Sequence, residues 1–209
     1  MPKLTVILPS LNVSAYIREC LESVMGQTMT DMEILCIDAG STDGTCEIIS
    51  EYTARDSRIR LIHSDRKSYG YQINLGISLA RGEYLGIVET DDCISADMYE
   101  VLYKAAADNK LDYAKAGFYT LVTPYEGERY LLEHPLGDTE QIISSQYFVE
   151  KPLSPDVYIW NGIYKVSFLR EFRIRLNESP GAAFQDCGFR YLTDMNLRRG
   201  MFLKDLCYQ

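Results

Sequence analysis

The run Gly86-Ile87-Val88-Glu89-Thr90-Asp91-Asp92 carries the chain from an apolar strand straight into three carboxylates within four residues. Such groups repel one another, so the cluster points to a divalent cation or a donor-rich ligand lying among them. The plain alternative is a polar turn that caps the next helix, although a single Asp or Ser would serve for that. Two more polar turns follow apolar runs in the same way: Pro9-Ser10 after Lys3 to Leu8, and Asp38-Ala39-Gly40-Ser41 after Glu33 to Ile37. Ligands of an open parallel sheet bind beyond the carboxyl ends of its strands. A pocket assembled from these turns would offer an acceptor carboxylate, small residues that admit a flat ring, and a metal seat.

The elements that must position these turns alternate between short apolar strands and amphipathic helices, the pattern of an α/β protein with a parallel sheet covered on both faces. Ser14 is a candidate cap for a helix with Ile17, Leu21 and Val24 on its inner face, and Asp43 for one with Ile48, Ile49 and Tyr52. Ile59 to Ile62 reads as a third strand, Ile73, Ile77 and Ala80 mark a helix ending at Gly82, and Tyr84 to Val88 is a fourth strand. A helix carrying Met98, Val101, Leu102, Ala105 and Ala106 follows, then a strand from Tyr113 to Tyr119. Past residue 120 the pattern loosens. Turns at Thr123-Pro124-Tyr125-Glu126-Gly127 and Pro152-Leu153-Ser154-Pro155 frame a short hairpin and one helix near 139–149. Residues 1–120 thus read as a ligand-binding half and 121–209 as a smaller layer packed on the same sheet, together one structural domain.

Composition narrows the classes. A chain of 209 residues, 46% of them hydrophobic, is large enough for one substantial core. No apolar run is long enough to span a bilayer, and the N-terminus lacks a signal-peptide pattern. The net charge of −9 should repel a nucleic-acid backbone or an anionic lipid surface. Six cysteines without C-x-x-C spacing suggest reduced, buried thiols of a cytosolic protein, with zinc a poor second reading. His63 and His134 form no recognisable ligand pair.

An ordered series of motifs resembles the family-2 glycosyltransferases. It comprises Val6-Ile7-Leu8-Pro9-Ser10-Leu11-Asn12, Cys36-Ile37-Asp38-Ala39-Gly40-Ser41-Thr42-Asp43-Gly44, Asn74-Leu75-Gly76-Ile77, Ala80-Arg81-Gly82-Glu83-Tyr84 and the acidic run. In the second half the match is carried by Trp160-Asn161-Gly162-Ile163-Tyr164-Lys165 and Phe184-Gln185-Asp186-Cys187-Gly188-Phe189. The resemblance implies a GT-A, Rossmann-like fold with a mostly parallel sheet. It implies an inverting transfer of sugar from a nucleotide-diphosphate donor, most plausibly a UDP-sugar, with Mg2+ or Mn2+ as cofactor.

By the same resemblance Asp38 accepts a hydrogen bond from the uracil imide, with turn capping as its structural alternative, and Pro9, Ser10 and Asn12 lie along the base-binding loop. Glu89 sits at the first acidic position of a D-x-D motif, near ribose or metal waters, Asp91 ligates the metal directly, Asp92 orients the sugar, and Thr90 is counted with them on the donor side. Asp186, at a helix start, maps onto the base that takes the acceptor proton. Lys67 could lend charge, and Tyr69 or Tyr71 a stacking surface, to the donor, or the stretch is a solvated loop. Trp160 could floor the sugar pocket or be core, and Gln185 stands beside the base. The acceptor implied is a glycan or lipid-linked hydroxyl in cell-surface polysaccharide synthesis, at the cytoplasmic side, with peripheral membrane association open.

The chain departs from the family pattern at Ala39, where a second Asp is usual, at Glu89 for Asp, and at Gln185 for Glu. Loss of the charge at Gln185 removes an influence that would raise the pKa of Asp186. The Gln-x-x-Arg-Trp motif of processive synthases is missing, which favours one sugar per encounter. No late His is present for the metal, so either Asp91 and phosphates hold it or the natural chain continues. A dinucleotide-dependent oxidoreductase is disfavoured, since no G-x-G-x-x-G follows the first strand. A catalytically silent module of the same fold, binding sugar nucleotides or only a partner, stays open because of the three departures.

Overall fold

The computed structural model describes residues 1–125, 127–136, 141–151 and 158–209. Strand β1 (Leu4–Ser10) lies at the centre, with β2 (Met32–Asp38) on one side and β4 (Tyr84–Ile87) on the other, all parallel. β3 (Ile59–His63) extends the sheet beyond β2. The second half continues the same sheet: β7 (Gly162–Lys165) joins β4 antiparallel, then β5 (Tyr113–Val122) and β6 (Tyr130–His134) follow, giving the order β3-β2-β1-β4-β7-β5-β6. The last strand, β8 (Gly200–Tyr208), pairs parallel with β5, with register shifts around Gly117. The sheet is therefore mostly parallel, eight-stranded and shared by both halves of the chain.

Side-chain alternation along the central strands builds a core on each face. Leu4, Val6, Leu8, Ile34 and Cys36 pack on one side with α1 (Ile17–Met25), α2 (Thr45–Arg55) and α4 (Met98–Asn109). Ile7, Leu35 and Ile37 pack on the other with α3 (Tyr69–Leu79) and, further along, α6 (Val166–Glu171) and α7 (Asp186–Met195). The expected inner faces appear: Ile17, Leu21 and Val24 are buried in α1, and Ile49 and Tyr52 in α2. A short helix α5 (Ser145–Glu150) falls at the end of the range expected near 139–149, and β6 forms a hairpin with β5.

Some expectations change. Ser14 does not cap α1, which begins after Tyr16; the Ser14 N–H instead donates to Asp43 at 2.9 Å. β7, α6 and β8 have no counterpart in the sequence reading. Glu126, residues 139–140 of the expected helix, the Pro152-Leu153-Ser154-Pro155 turn and Val157 lie outside the described residues. All six cysteines are free, but only Cys20, Cys36 and Cys207 are buried, while Cys187 is exposed.

Candidate functional site

The acidic turn is fixed from two directions. The Val88 N–H donates to the Ile7 carbonyl at 3.0 Å and the Thr90 hydroxyl to the Pro9 carbonyl at 2.9 Å, tying the turn to β1. From the other side the Glu89 N–H donates to the Tyr208 hydroxyl at 2.9 Å, and Cys93 and Gln209 exchange backbone bonds of 2.6 and 2.8 Å. Asp91 is left exposed at the rim.

Two clefts meet at Asp91. The first, of about 250 Å3, is lined by Pro9, Ser10, Lys67, Tyr69, Glu89, Thr90 and Asp91, with Gln72, Gly181 and Ala182 also on its wall. The second, of about 380 Å3, has Asp91 and Asp92 on one side and an aromatic wall of Phe118, Tyr158, Trp160 and Tyr208 on the other. Trp160 stacks between Tyr158 and Tyr208, with ring centroids 4.6 and 4.1 Å away, and meets Phe118 edge-on at 5.0 Å. It is only partly buried, so it serves both as core and as cleft wall. The buried Lys115 ammonium donates to the Tyr158 carbonyl at 2.8 Å and anchors that wall.

The acids in the turn do not share one environment. Glu89 accepts the Tyr69 hydroxyl at 2.5 Å. Burial, opposed by that bond and reinforced by Asp92, Asp91 and Asp186, pushes Glu89 up to about 7. Burial and the Asp91 charge raise Asp92 to about 6, against the pull of the Tyr208 hydroxyl. Burial, then the Glu89 charge and hydrogen bond, raise Tyr69 well above its ordinary range. Negative charge is thus crowded here and would be relieved by a cation.

Among the described residues, Glu89, Asp91 and Asp92 do not bring three ligand oxygens within 4.8 Å of one another. Glu89, expected at the metal, is turned to Tyr69. The donor set that remains, an exposed Asp91 with Asp92 beside it, suits Mg2+ or Mn2+, which take one or two carboxylates and complete their octahedron with water and phosphate oxygens.

Asp38 lies beneath the first cleft rather than on its wall and is fully buried. One oxygen accepts the Gly40 and Ser41 N–H groups at 2.9 Å each; the other accepts the Ser41 hydroxyl and, at 3.4 Å, the Ser10 hydroxyl. Burial works against its charge, but these bonds and one from the Cys46 thiol outweigh it and hold Asp38 below the usual carboxylate range. It therefore closes its own turn, the alternative noted from the sequence. Asp43 holds the start of α2 through the Thr45 N–H at 3.1 Å and hydroxyl at 2.6 Å. Asn12, with φ of 56°, clamps the neighbouring loop by accepting the Thr42 N–H and donating its own N–H to the Ser41 hydroxyl, each at 2.9 Å.

Asp186 is the first residue of α7, half-buried, and its charge is felt by both Tyr69 and Glu89. Gln185 is buried and faces neither cleft. Its carbonyl accepts the Gly70 N–H at 2.6 Å, and its amide donates to the Ser179 carbonyl and, at 2.9 Å, the Ser179 hydroxyl. It ties the 179–181 loop to the start of α3. Lys67 is exposed, and its carbonyl accepts the Gly181 N–H at 3.0 Å.

Sequence reasoning misses Tyr208 and Gln72. The Gln72 amide donates to the Ser10 carbonyl at 3.0 Å and the Ile37 carbonyl at 2.5 Å, binding α3 to the ends of β1 and β2. A polar residue one position from Ile73 on the inner face of the helix is the signal that could reveal it. Tyr208 leaves no local signal, because the acidic turn that its hydroxyl bonds lies more than a hundred residues away.

A model of the family described as "Glycosyl transferase family 2" matches residues 5–180. The uncharacterized glycosyltransferase EpsJ of Bacillus subtilis is 31% identical over 186 residues, covering 85% of this chain and 52% of EpsJ, so the chain spans about half the length of that relative. The crystal structure of S. aureus TarS 1-349 in complex with UDP superposes with a TM-score of 0.82 at 21% identity, over 99% of this chain and 59% of that one. The mannosyltransferase PcManGT of Pyrobaculum calidifontis, in complex with GDP-Man and Mn2+, gives 0.67 at 17% identity over 99% and 56%. With the sheet order of the GT-A fold, an acidic turn beyond β4 and a family match running from β1 through β7 and α6, this chain belongs to glycosyl transferase family 2.

Proposed function

We propose that the chain moves a sugar from a nucleotide-diphosphate donor, a UDP-sugar foremost, to a hydroxyl of a glycan or lipid-linked acceptor, with inversion and one sugar per encounter. The observation that carries this reading is the position of Asp91 at the meeting point of two clefts, one lined by Pro9, Ser10 and Lys67 and one walled by aromatic rings. Aromatic faces suit the apolar faces of sugar rings. TarS, bound to UDP in its own crystal structure, supports the choice of donor. Residues 1–120 would hold the nucleotide sugar and 121–209 face the acceptor.

In this reading Pro9 and Ser10 border the base, Asp38 reaches it once the Ser41 and Ser10 hydroxyls turn aside, and Lys67 meets the phosphates. Asp91 and Asp92 would hold Mg2+ or Mn2+, which when bound neutralises charge on the departing diphosphate. Asp186 takes the proton from the acceptor hydroxyl as its oxygen attacks the anomeric carbon opposite the leaving group. A single displacement of this kind inverts the anomeric centre. No described helix is long and apolar enough to cross a membrane. By its resemblance to the family, we assign the reaction to the cytoplasmic side, in assembly of a cell-surface polysaccharide.

Calorimetric titration with UDP, with and without Mn2+, tests the proposal. Binding should strengthen ~10-fold or more with metal, a difference of about 1.4 kcal/mol, and Asp91→Ala should abolish that gain. Failure of UDP to bind with Mn2+, together with an indifferent Asp91→Ala variant, would overturn it. Binding without sugar transfer or donor hydrolysis would instead identify a silent module.

A further inference from the structure

A second set of ligand atoms, sharing no residue with the acidic turn, converges at the ends of β2 and β3. Asp38 and His63 are partners in the register of these parallel strands, so their side chains leave the sheet on the same face at neighbouring positions. The loop beyond Asp38 turns through Gly40 and Gly44, both at positive φ, into α2, whose second residue is Cys46. A carboxylate oxygen of Asp38, the sulfur of Cys46 and a ring nitrogen of His63 all lie within 4.8 Å of one another. These residues are separated along the chain with no motif spacing, and neither histidine has a role in the reaction proposed above.

The three groups differ in kind, and the set has a chemical preference. Imidazole with thiolate suits zinc-class ions, whereas Mg2+ and Mn2+ favour oxygen alone. Ligand atoms around a tetrahedral Zn2+, bonded at about 2.0 to 2.3 Å, stand roughly 3.3 to 3.8 Å apart. Closing the present spacing takes a shift of about 1 Å, which the exposed His63 and the half-buried Cys46 can make. The surrounding shell is already built. The Gly40 and Ser41 N–H groups orient one Asp38 oxygen, the Ser41 and Ser10 hydroxyls on the other can rotate away, and the Cys46 thiol is already hydrogen-bonded to the carboxylate. The exposed side, next to His63, leaves a fourth position for water.

We propose that Asp38, Cys46 and His63 form a binding site for a divalent cation of the zinc class, separate from the oxygen seat at Asp91. On binding, the sulfur–metal bond forms as the Cys46 thiol gives its proton to solvent. The metal then sits on the Asp38 oxygen that would have to reach a nucleobase, so zinc and the donor exclude one another. This last consequence rests on the donor reading above.

The test uses the reduced 209-residue chain and Co2+ as a spectroscopic stand-in for Zn2+. A sulfur-to-cobalt charge-transfer absorption should grow to saturation at one equivalent, vanish in Cys46→Ala, and need ~10-fold or more cobalt in His63→Ala. Added Zn2+ should bleach it, and excess Mn2+ should not. No such absorption, or one unchanged in Cys46→Ala and so arising from another of the thiols, would overturn the site. UDP affinity is then measured in Mn2+ with and without Zn2+. Weakening in the wild type that is absent in His63→Ala supports exclusion. If the cobalt signal behaves as expected while UDP ignores zinc, the metal site stands and Asp38 is removed from base recognition.

Discussion

Glu89 is the residue on which the site's electrostatics turn, because its pKa is lifted from 4.5 to about 7 chiefly by burial. Between those values the folded state binds a proton that the unfolded state has released, so stability falls as pH rises through that window. Below it the carboxyl is neutral in both states and costs nothing. Above it the penalty is complete, up to about 3 kcal/mol at about 1.4 kcal/mol per unit. Glu89→Gln keeps an oxygen for the Tyr69 hydroxyl and removes the charge. Scanning calorimetry without divalent cations should find the variant more stable than the wild type at about pH 8, by several degrees, and equal to it at about pH 4. A gap of the same size at both pH values would mean that packing, not charge, separates them.

At the scale of elements, the first cleft depends on how closely α3 approaches the 177–185 segment. A Cβ added at Gly70 would collide with the Asn177 carbonyl and stand 3.0 Å from the Gln185 side chain. Gly70→Ala must therefore push the start of α3 outward and lengthen the Gln185 bond to its N–H. The expected cost is about 1–3 kcal/mol in urea unfolding, with weaker UDP binding because Lys67, Ser68 and Tyr69 move with the helix end. Unchanged UDP affinity in a destabilised variant would separate this packing from the site. Elements of this kind differ in legibility. β1, β2 and α1 are readable from sequence because alternation or helical spacing is local and each buries the residues it displays. Pro9 and Ser10, the last residues of β1, and Thr90, just past β4, follow from the ends of such strands. The cap at Ser14 is misread because α1 begins only after Tyr16, and Ser14 is instead bonded to the distant Asp43 through both its N–H and its hydroxyl. β7, with four residues, and α6, with six, are too short to show a period, and β7 exists only through pairing with β4 and β5. Asp38 and Gln185 are recognisable by motif, but their burial depends on loops that the motif does not describe.

Across the whole molecule, the parallel half supplies the acidic turn, and the last strand with the Gln209 that follows it, through pairing with β5 and backbone bonds to Ser95 and Cys93, holds that turn in place. The Tyr208 ring belongs to the aromatic wall of one cleft, while its hydroxyl accepts the Glu89 N–H and bonds Asp92. Tyr208→Phe keeps the ring against Trp160 and isolates the hydroxyl. The Glu89 N–H then loses its partner, a loss of about 1–2 kcal/mol, and Asp92, deprived of a bond that lowers it, moves above about 6. Hydrogen exchange should quicken at Glu89 to Cys93 while β1 and β2 stay protected, and Mn2+-dependent UDP binding should fall near neutral pH. If exchange rises uniformly across the sheet and the turn is not singled out, Tyr208 acts through the general stability of the fold and β8 has no particular hold on the acids.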